Sequence, residues 1–402
     1  MTTTQANAAD LHPGQKKNLV LALWAFTISF WAWNLVGPLG VRYAEQMSLS
    51  ATQKSLLVAT PVLVGSVGRI PVGALTDRLG GRVMFTVLII VSVPFVLLVA
   101  VAGHVRSYPL MLLFGFFLGV AGTTFAAGIP FVNAWYEQSR RGLATGIFGA
   151  GMGGTALSSF FTPRFVTWFG YGMTHVIIAV ALLLTAALVW FAAKDSPRWQ
   201  PTTDAVIPKL TAAARLTITW QMSFLYAVAF GGFVAFSTYL PTYLKDIYDF
   251  NLTGAGTRTA GFAIAAVIAR PVGGVISDRI GPRVVAAVAF VGAAVMALVV
   301  SLIPAPELAA GTTFVVLALF LGLGTGAVFA WVGKQAPPER VGAVTGIVGA
   351  AGGLGGYFPP LVMGATYNAV DHRYTIGLVL LSIVAIIACA YTLFGIRSRT
   401  EA

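Results

Sequence analysis

The sequence predicts an all-α membrane protein of twelve transmembrane helices, arranged as two pseudo-symmetric six-helix bundles. Three observations carry that prediction. The 402 residues are 57% hydrophobic and only 9% charged, with a mean hydropathy of +0.84, a balance outside the range of soluble domains. Apolar runs long enough to cross ~30 Å of hydrocarbon recur along the whole chain. Two segments of the first half return in the second at nearly one offset.

Residues 1–18 (MTTTQANAADLHPGQKKN) are polar and lack a signal-peptide pattern, so they read as a tail. The first apolar run, from Leu19, reads as a helix retained in the mature protein. The predicted spans are 19–41, 55–76, 83–104, 108–133, 142–166 and 172–193, then 218–241, 258–277, 284–304, 310–332, 342–366 and 374–396. The first six form one bundle (19–193) and the last six another (218–396). Between them lies the longest polar segment, AKDSPRWQPTTDAVIPKLTAAARL, giving a linker at 194–217. Residues 397–402 form a second tail.

Charge sets the expected orientation. The formal net charge of +12 sits in short loops, which argues for membrane topology rather than nucleic-acid binding. With the N-terminus placed inside, 16 Lys and Arg fall on that side and 7 on the other, leaving Arg69 and Arg270 in the interior. Both termini are therefore expected in the cytoplasm, with the protein in the inner membrane. The single cysteine, Cys389, excludes disulfides, multi-Cys zinc sites and iron–sulfur clusters. No cofactor or metal is expected, and the short tails suggest a monomer.

The halves repeat. RIPVGALTDRLGGR (69–82) matches RPVGGVISDRIGPR (270–283), and TGIFGAG (145–151) matches TGIVGAA (345–351). Two matches at offsets of 201 and 200 mark a tandem duplication of six spans. Related halves facing each other across a central cavity form a transporter architecture, with the site near the bilayer midplane.

Arg69 stands eight residues before Asp77, about 12 Å along a helix rising ~1.5 Å per residue. A charge at that depth costs roughly 2.5 kcal/mol or more. The acidic residues all fall in tails, loops or span ends, so neither Arg69 nor Arg270 has a carboxylate at its own level. Arginine cannot shed its proton there. The missing counter-ion is then the substrate, an anion. The planar guanidinium fork suits a small flat oxyanion; a large dianion or phosphate would also satisfy the charge but needs more polar lining.

Glycine-rich runs occupy spans five (GIFGAGMGG) and eleven (GIVGAAGGLGG), including Gly149, Gly151, Gly153, Gly349, Gly352 and Gly353. They allow close helix approach and a narrow path, both of which favour a small substrate. Tyr226 and Phe230 fall on one face of span seven at i and i+4. Phe125 follows GTT on span four. Flat rings can sandwich a planar anion, but with 27 Phe residues in the chain, composition does not single these out.

The loops GALTDRLGGR and GVISDRIGPR resemble the signature loop of the major facilitator superfamily. Together with AIARPVGGVISDRIGPR, the glycine runs and GTGAVFAWVGKQAPPERVGAVTGIVGAAGGLGGYFPPLVMG, the chain is similar over nearly its whole length to the nitrate/nitrite porter branch. The resemblance implies that Arg69 and Arg270 bind the anion, with Tyr226, Phe230 and Phe125 around it. It implies that the signature glycines lie where helices rock against each other. It also implies that Asp77, Arg78, Arg82, Asp278, Arg279 and Arg283 latch the outward-open state. One departure stands out. The first signature of the branch carries an Asn near its centre, and here that neighbourhood reads Met152, Gly153, Gly154.

The expected function is alternating-access transport of nitrate or nitrite, by exchange or by proton symport. For symport, the spans offer only His175 as a titratable relay. A second small anion, such as cyanate, formate or another monocarboxylate, is the alternative. A transporter-like sensor is disfavoured by the short polar tails. An enzyme is disfavoured because no carboxylate pair, His cluster or nucleophile–base set lies within the spans.

Overall fold

The computed structural model describes residues 13–201, 205–337 and 340–396, without the side chains of residues 138, 139, 142 and 143. The expected tail at 397–402, with Arg397 and Arg399, and residues 1–12 of the expected tail at 1–18 lie outside the described residues; the last four residues of that N-terminal tail, from Gln15, instead begin the first helix. The described residues form helices joined by short loops, and among them there is a single β-bridge, between Asn368 and Arg373.

Span one runs Gln15–Met47, broken near Asn34. Span two is a bent pair, Ala51–Val67 and Arg69–Leu79, with 40° between its pieces. Spans three and four are Gly81–His104 and Tyr108–Trp135, and span six is Tyr171–Ala192. In the second half the spans are Thr217–Tyr248, Leu252–Ile280, Pro282–Ser301, Leu308–Gln335, Val341–Ala365 and Thr375–Gly395. These make up to 11 spans by length and composition, counting the bent pair as one.

Span five takes the remaining place and departs from the expected unbroken helix over 142–166. It is built from Gln138–Gly149, a 3₁₀ turn at Ala150–Gly153, and Gly154–Phe169. Four glycines in six residues weaken the α-helical ladder there. A helix the sequence did not suggest, Val206–Ala214, lies within the linker, whose residues 202–204 are outside the described set.

Local chemistry fixes several helix ends. Span two opens on a capping box, in which Ser50 Oγ accepts from Gln53 N and the Gln53 side chain accepts from Ser50 N at 2.9 Å. Asn251 caps span eight by accepting from Gly254 N at 2.7 Å. Gly80 and Gly281, equivalent positions of the repeat, have φ of +86° and +93°. Only glycine takes that backbone without strain, which explains the fourth position of the repeated D-R-x-G-x-R.

Spans seven and eight outrun their predicted bounds. Asp246, which the sequence reading placed beyond span seven, sits in the last turns of the helix Thr217–Tyr248. The polar cluster KDIYD looked like a loop. The helix continues because Asp246 finds partners across the protein.

Apolar side chains such as Leu184, Phe191, Ile264 and Val288 face outward around the spans. With the backbone hydrogen-bonded within helices, this surface suits hydrocarbon. Inside, glycines bring backbones together. A Cβ at Gly256 would strike Ser159 O, and one at Gly353 would strike Ser66. Both contacts join the first half to the second.

Candidate functional site

The site forms where spans two, four and five of the first half meet spans seven, eight, ten and eleven of the second. The break at Gly68 starts a new helix at Arg69 and turns its side chain inward. Arg69 is 2% exposed and Arg270 is 8% exposed. Among the described residues, no carboxylate lies within ion-pair distance of either.

Each guanidinium meets the glycine run of the opposite half. Arg69 Nη1 donates to Gly349 O at 2.8 Å, and its Nε donates to Gly65 O at 2.9 Å. Arg270 Nη1 lies 3.2 Å from Met152 Sδ, and its Cζ would stand 3.4 Å from a Cβ at Gly149. Gly149 and Gly349 are equivalent in the repeat, so the contacts cross symmetrically.

Aromatic faces enclose the arginines. The Arg69 Cζ lies 5.0 Å from the Phe125 ring centre and 5.4 Å from that of Phe230. Arg270 lies 5.8 Å from Phe125 and 5.4 Å from Phe329. These are cation–π distances. Phe125 thus serves both cations. Tyr226 and Phe230 stack with centres 5.1 Å apart and planes 4° from parallel. The structure therefore gathers Arg69, Arg270, Tyr226, Phe230 and Phe125 into one site.

Two buried polar atoms in this site have no hydrogen-bond partner: Arg69 Nη2 and the Tyr226 hydroxyl. Unpaired buried donors are costly, and an acceptor placed between them would satisfy both.

Phe329 belongs to the site but was missed from sequence. It packs edge-on to Tyr226 at 4.6 Å and faces Arg270. Its position in GAVFAW gave no signal beyond that of any other phenylalanine. Met152 was noted only as a lost polar contact, whereas its sulfur is an acceptor for Arg270.

The six signature glycines divide by role. Gly149 and Gly349 bare the backbone beside Arg270 and Phe125. A Cβ at Gly352 would enter the Tyr226 ring, at Gly151 the Phe26 ring, and at Gly353 the Ser66 side chain. Gly153 faces open space, with nothing within 4 Å.

A cavity of about 480 Å³ leads to Arg69, Phe125 and Gly349 from the face that carries the linker. Asp77, Asn133, Lys209 and Arg340 line its mouth, and the helix Val206–Ala214 forms one wall. The opposite face is closed. Lys54 Nζ of span two bonds Asp246 of span seven at 2.8 Å, with side chains 10% and 14% exposed. Tyr374 donates to the same carboxylate, and its hydroxyl lies 3.1 Å from that of Tyr239. Ser55 Oγ completes the chain at 3.0 Å from the Tyr239 hydroxyl. Beside it, Arg164 Nη2 donates to Thr257 Oγ1 at 2.8 Å, joining spans five and eight.

The repeated loop charges lie around the cavity face, away from the arginine pair. Asp278 pairs with Lys334 at 3.3 Å. Arg283 donates to the carbonyls of Thr392 and Leu393 at the end of span twelve. The Arg82 guanidinium lies over Trp190 at 4.9 Å, and its backbone N–H donates to Asp195. The contacts of Asp278 and Arg283 stay within the second half, and those of Arg82 reach span six and the start of the linker. Asp77 lines the cavity mouth, and Arg78 and Arg279 are exposed at the ends of their helices.

His175 lies elsewhere. Its ring packs against Tyr171 with centres 4.5 Å apart, and Nδ1 is 2.9 Å from Tyr171 O. Its cluster joins Tyr43 and Arg42 rather than the arginine pair.

Two helical bundles closed on one face, with a cavity leading to buried cations from the other, define a membrane carrier. The family model of the Major Facilitator Superfamily matches residues 22–358 and 255–402. The chain belongs to that superfamily and, within it, to the nitrate/nitrite porter family. The "Probable nitrate/nitrite transporter NarK2" of Mycobacterium tuberculosis is 59% identical over 384 residues, covering 96% of this chain and 97% of that protein. The "Nitrite extrusion protein" of Bacillus subtilis is 33% identical and covers 92% of each chain. The "Probable nitrate/nitrite antiporter NarK1" of Thermus thermophilus is 34% identical, covering 87% of this chain and 85% of that protein. Among solved structures, the human organic anion transporter MFSD10 superposes with a TM-score of 0.73 at 12% identity, covering 94% of this chain and 100% of that one. A bacterial homolog of the human lysosomal transporter Spinster gives 0.69 at 19% identity, covering 95% and 96%. At those identities the likeness concerns the fold. The chain is a transporter and not an enzyme.

Proposed function

We propose that the protein carries nitrate, nitrite or both across the cytoplasmic membrane by alternating access, with the anion held between Arg69 and Arg270. The observation that carries this reading is the pair of unpartnered buried donors, Arg69 Nη2 and Tyr226 Oη, beside two guanidiniums that have no carboxylate. A small flat oxyanion supplies both the charge and the acceptors. Phe125, Phe230 and Phe329 then flank it as apolar walls. The names of the relatives support nitrate and nitrite over other anions.

On this reading the linker face and both termini are cytoplasmic. The cavity beside Lys209 and Arg340 is the inward route. The Lys54–Asp246–Tyr374 network is the closed outer gate. The protein works as a monomer, and either a proton or a second anion accompanies the cycle.

Uptake into proteoliposomes tests the substrate. Labelled nitrate should enter, and excess nitrate or nitrite should compete, while formate and cyanate should not. If nitrate is not carried and excess nitrate leaves uptake of another anion unchanged, the reading is wrong.

A further inference from the structure

The two arginines do not have equivalent partners. Arg69 uses Nε on its own helix and Nη1 on the carbonyl of Gly349. Arg270 has the thioether of Met152 as its acceptor from the opposite half, with the Tyr226 hydroxyl of its own half beside it. Both cross-contacts span the interface between halves that must open and close. Neither is helix capping, since Gly349 lies on span eleven and Met152 on span five.

A carbonyl oxygen and a thioether are acceptors, as an anion oxygen is. They are therefore internal ligands for the two cations. The π faces of Phe125 and Phe329 add to them. A carrier with fixed buried cations and no such acceptors must always hold an anion while its halves move. This protein can offer each guanidinium a partner from the opposing half instead.

We infer that the carrier completes its return step without an anion, so that it catalyses net transport and not only obligatory exchange, with Met152 as the positioning residue for Arg270 during that step. Met152 is 1% exposed and sits on the 3₁₀ turn of span five, where the backbone brings its sulfur to Arg270. The thioether is a weak acceptor, so an arriving anion displaces it readily. The inference rests on the nitrate/nitrite reading above.

The test compares two modes in proteoliposomes with potassium and valinomycin holding the potential, in the presence and absence of an inward pH gradient. Net nitrate uptake is measured into vesicles containing gluconate alone. Exchange is measured into vesicles loaded with nitrite. The wild type should show both modes. Met152→Leu keeps the volume but removes the acceptor, and should lower net uptake roughly fivefold, the loss of about one weak hydrogen bond to a charged group. Its exchange should fall by clearly less than its net uptake, because in exchange an anion faces Arg270 on both half-cycles. Met152→Gln, with an amide oxygen as acceptor, should recover net uptake. Exchange without net uptake in the wild type overturns the inference while leaving the substrate reading intact. A matched fall in both modes with Leu, or no change in either, also overturns it. Absence of both modes for nitrate and nitrite removes the substrate reading and this inference together.

Discussion

Arg270 rests against the bare Cα of Gly149, where a Cβ would stand 3.4 Å from the guanidinium carbon. The equivalent glycine of the other half, Gly349, gives its carbonyl to Arg69 at 2.8 Å. Each cation is thus framed by the opposite half. The site exists only while the halves are together, and its predicted behaviour follows from that.

Arg69→Lys and Arg270→Lys keep the charge but lose the planar fork. Each should reduce nitrate uptake efficiency about 10- to 100-fold, the loss of one or two charge-assisted hydrogen bonds. Initial rates in proteoliposomes check this. Near wild-type uptake in both variants would remove the fork from the mechanism.

The glycines should separate cleanly. Gly352→Ala drives a methyl into the Tyr226 ring and should cost about 1–3 kcal/mol in stability, with loss of uptake. Gly153→Ala points into open space and should stay near wild type in both respects. Thermal unfolding in detergent and uptake assays report on each, and similar behaviour of the two variants would contradict the packing seen here.

Phe125 faces both guanidiniums, whereas Phe329 faces one. Truncating either to Ala removes cation–π contacts of about 0.5–2 kcal/mol each. The rise in KM for nitrate should therefore be larger for Phe125→Ala than for Phe329→Ala. The reverse order would place the anion nearer span ten.

Lys54→Ala or Asp246→Asn should loosen the closed face. Thr242 lies buried behind it, beside Gly40 of span one. In a Cys389→Ala background, Thr242→Cys should react faster with a membrane-impermeant maleimide once the ion pair is broken. The pair is nearly but not wholly buried, so the opening equilibrium should move by about 2 kcal/mol, roughly thirtyfold. An unchanged labelling rate would show that the pair does not hold the gate.

Much of this architecture was legible in the sequence, because a bilayer imposes long apolar helices and a duplication leaves a fixed offset. Arg69 and Arg270 stood out for the same reason, as charges where charges are expensive. Asp246 did not. Its neighbours Lys245 and Asp249 made the end of span seven look like a loop, and only the fold brings Lys54 to it. Phe329 was hidden among many phenylalanines, since ring orientation is not encoded in spacing. The break in span five was visible as glycine density, but not as a 3₁₀ turn that delivers a sulfur to Arg270. His175 looked like a relay candidate because it is titratable and apolar-flanked, whereas its contacts tie it to Tyr171.

The crossed contacts of arginine and glycine have the reciprocity of an isologous two-fold interface, in which one patch meets its own copy. A six-span ancestor pairing with itself would present this surface on both subunits. Within one chain the two copies are free to differ. A carbonyl now answers one cation and a sulfur the other, so the axis that once made both sides identical now distinguishes them. A symmetric dimer has no means of treating its two half-sites differently, and a single chain acquires that with one side chain.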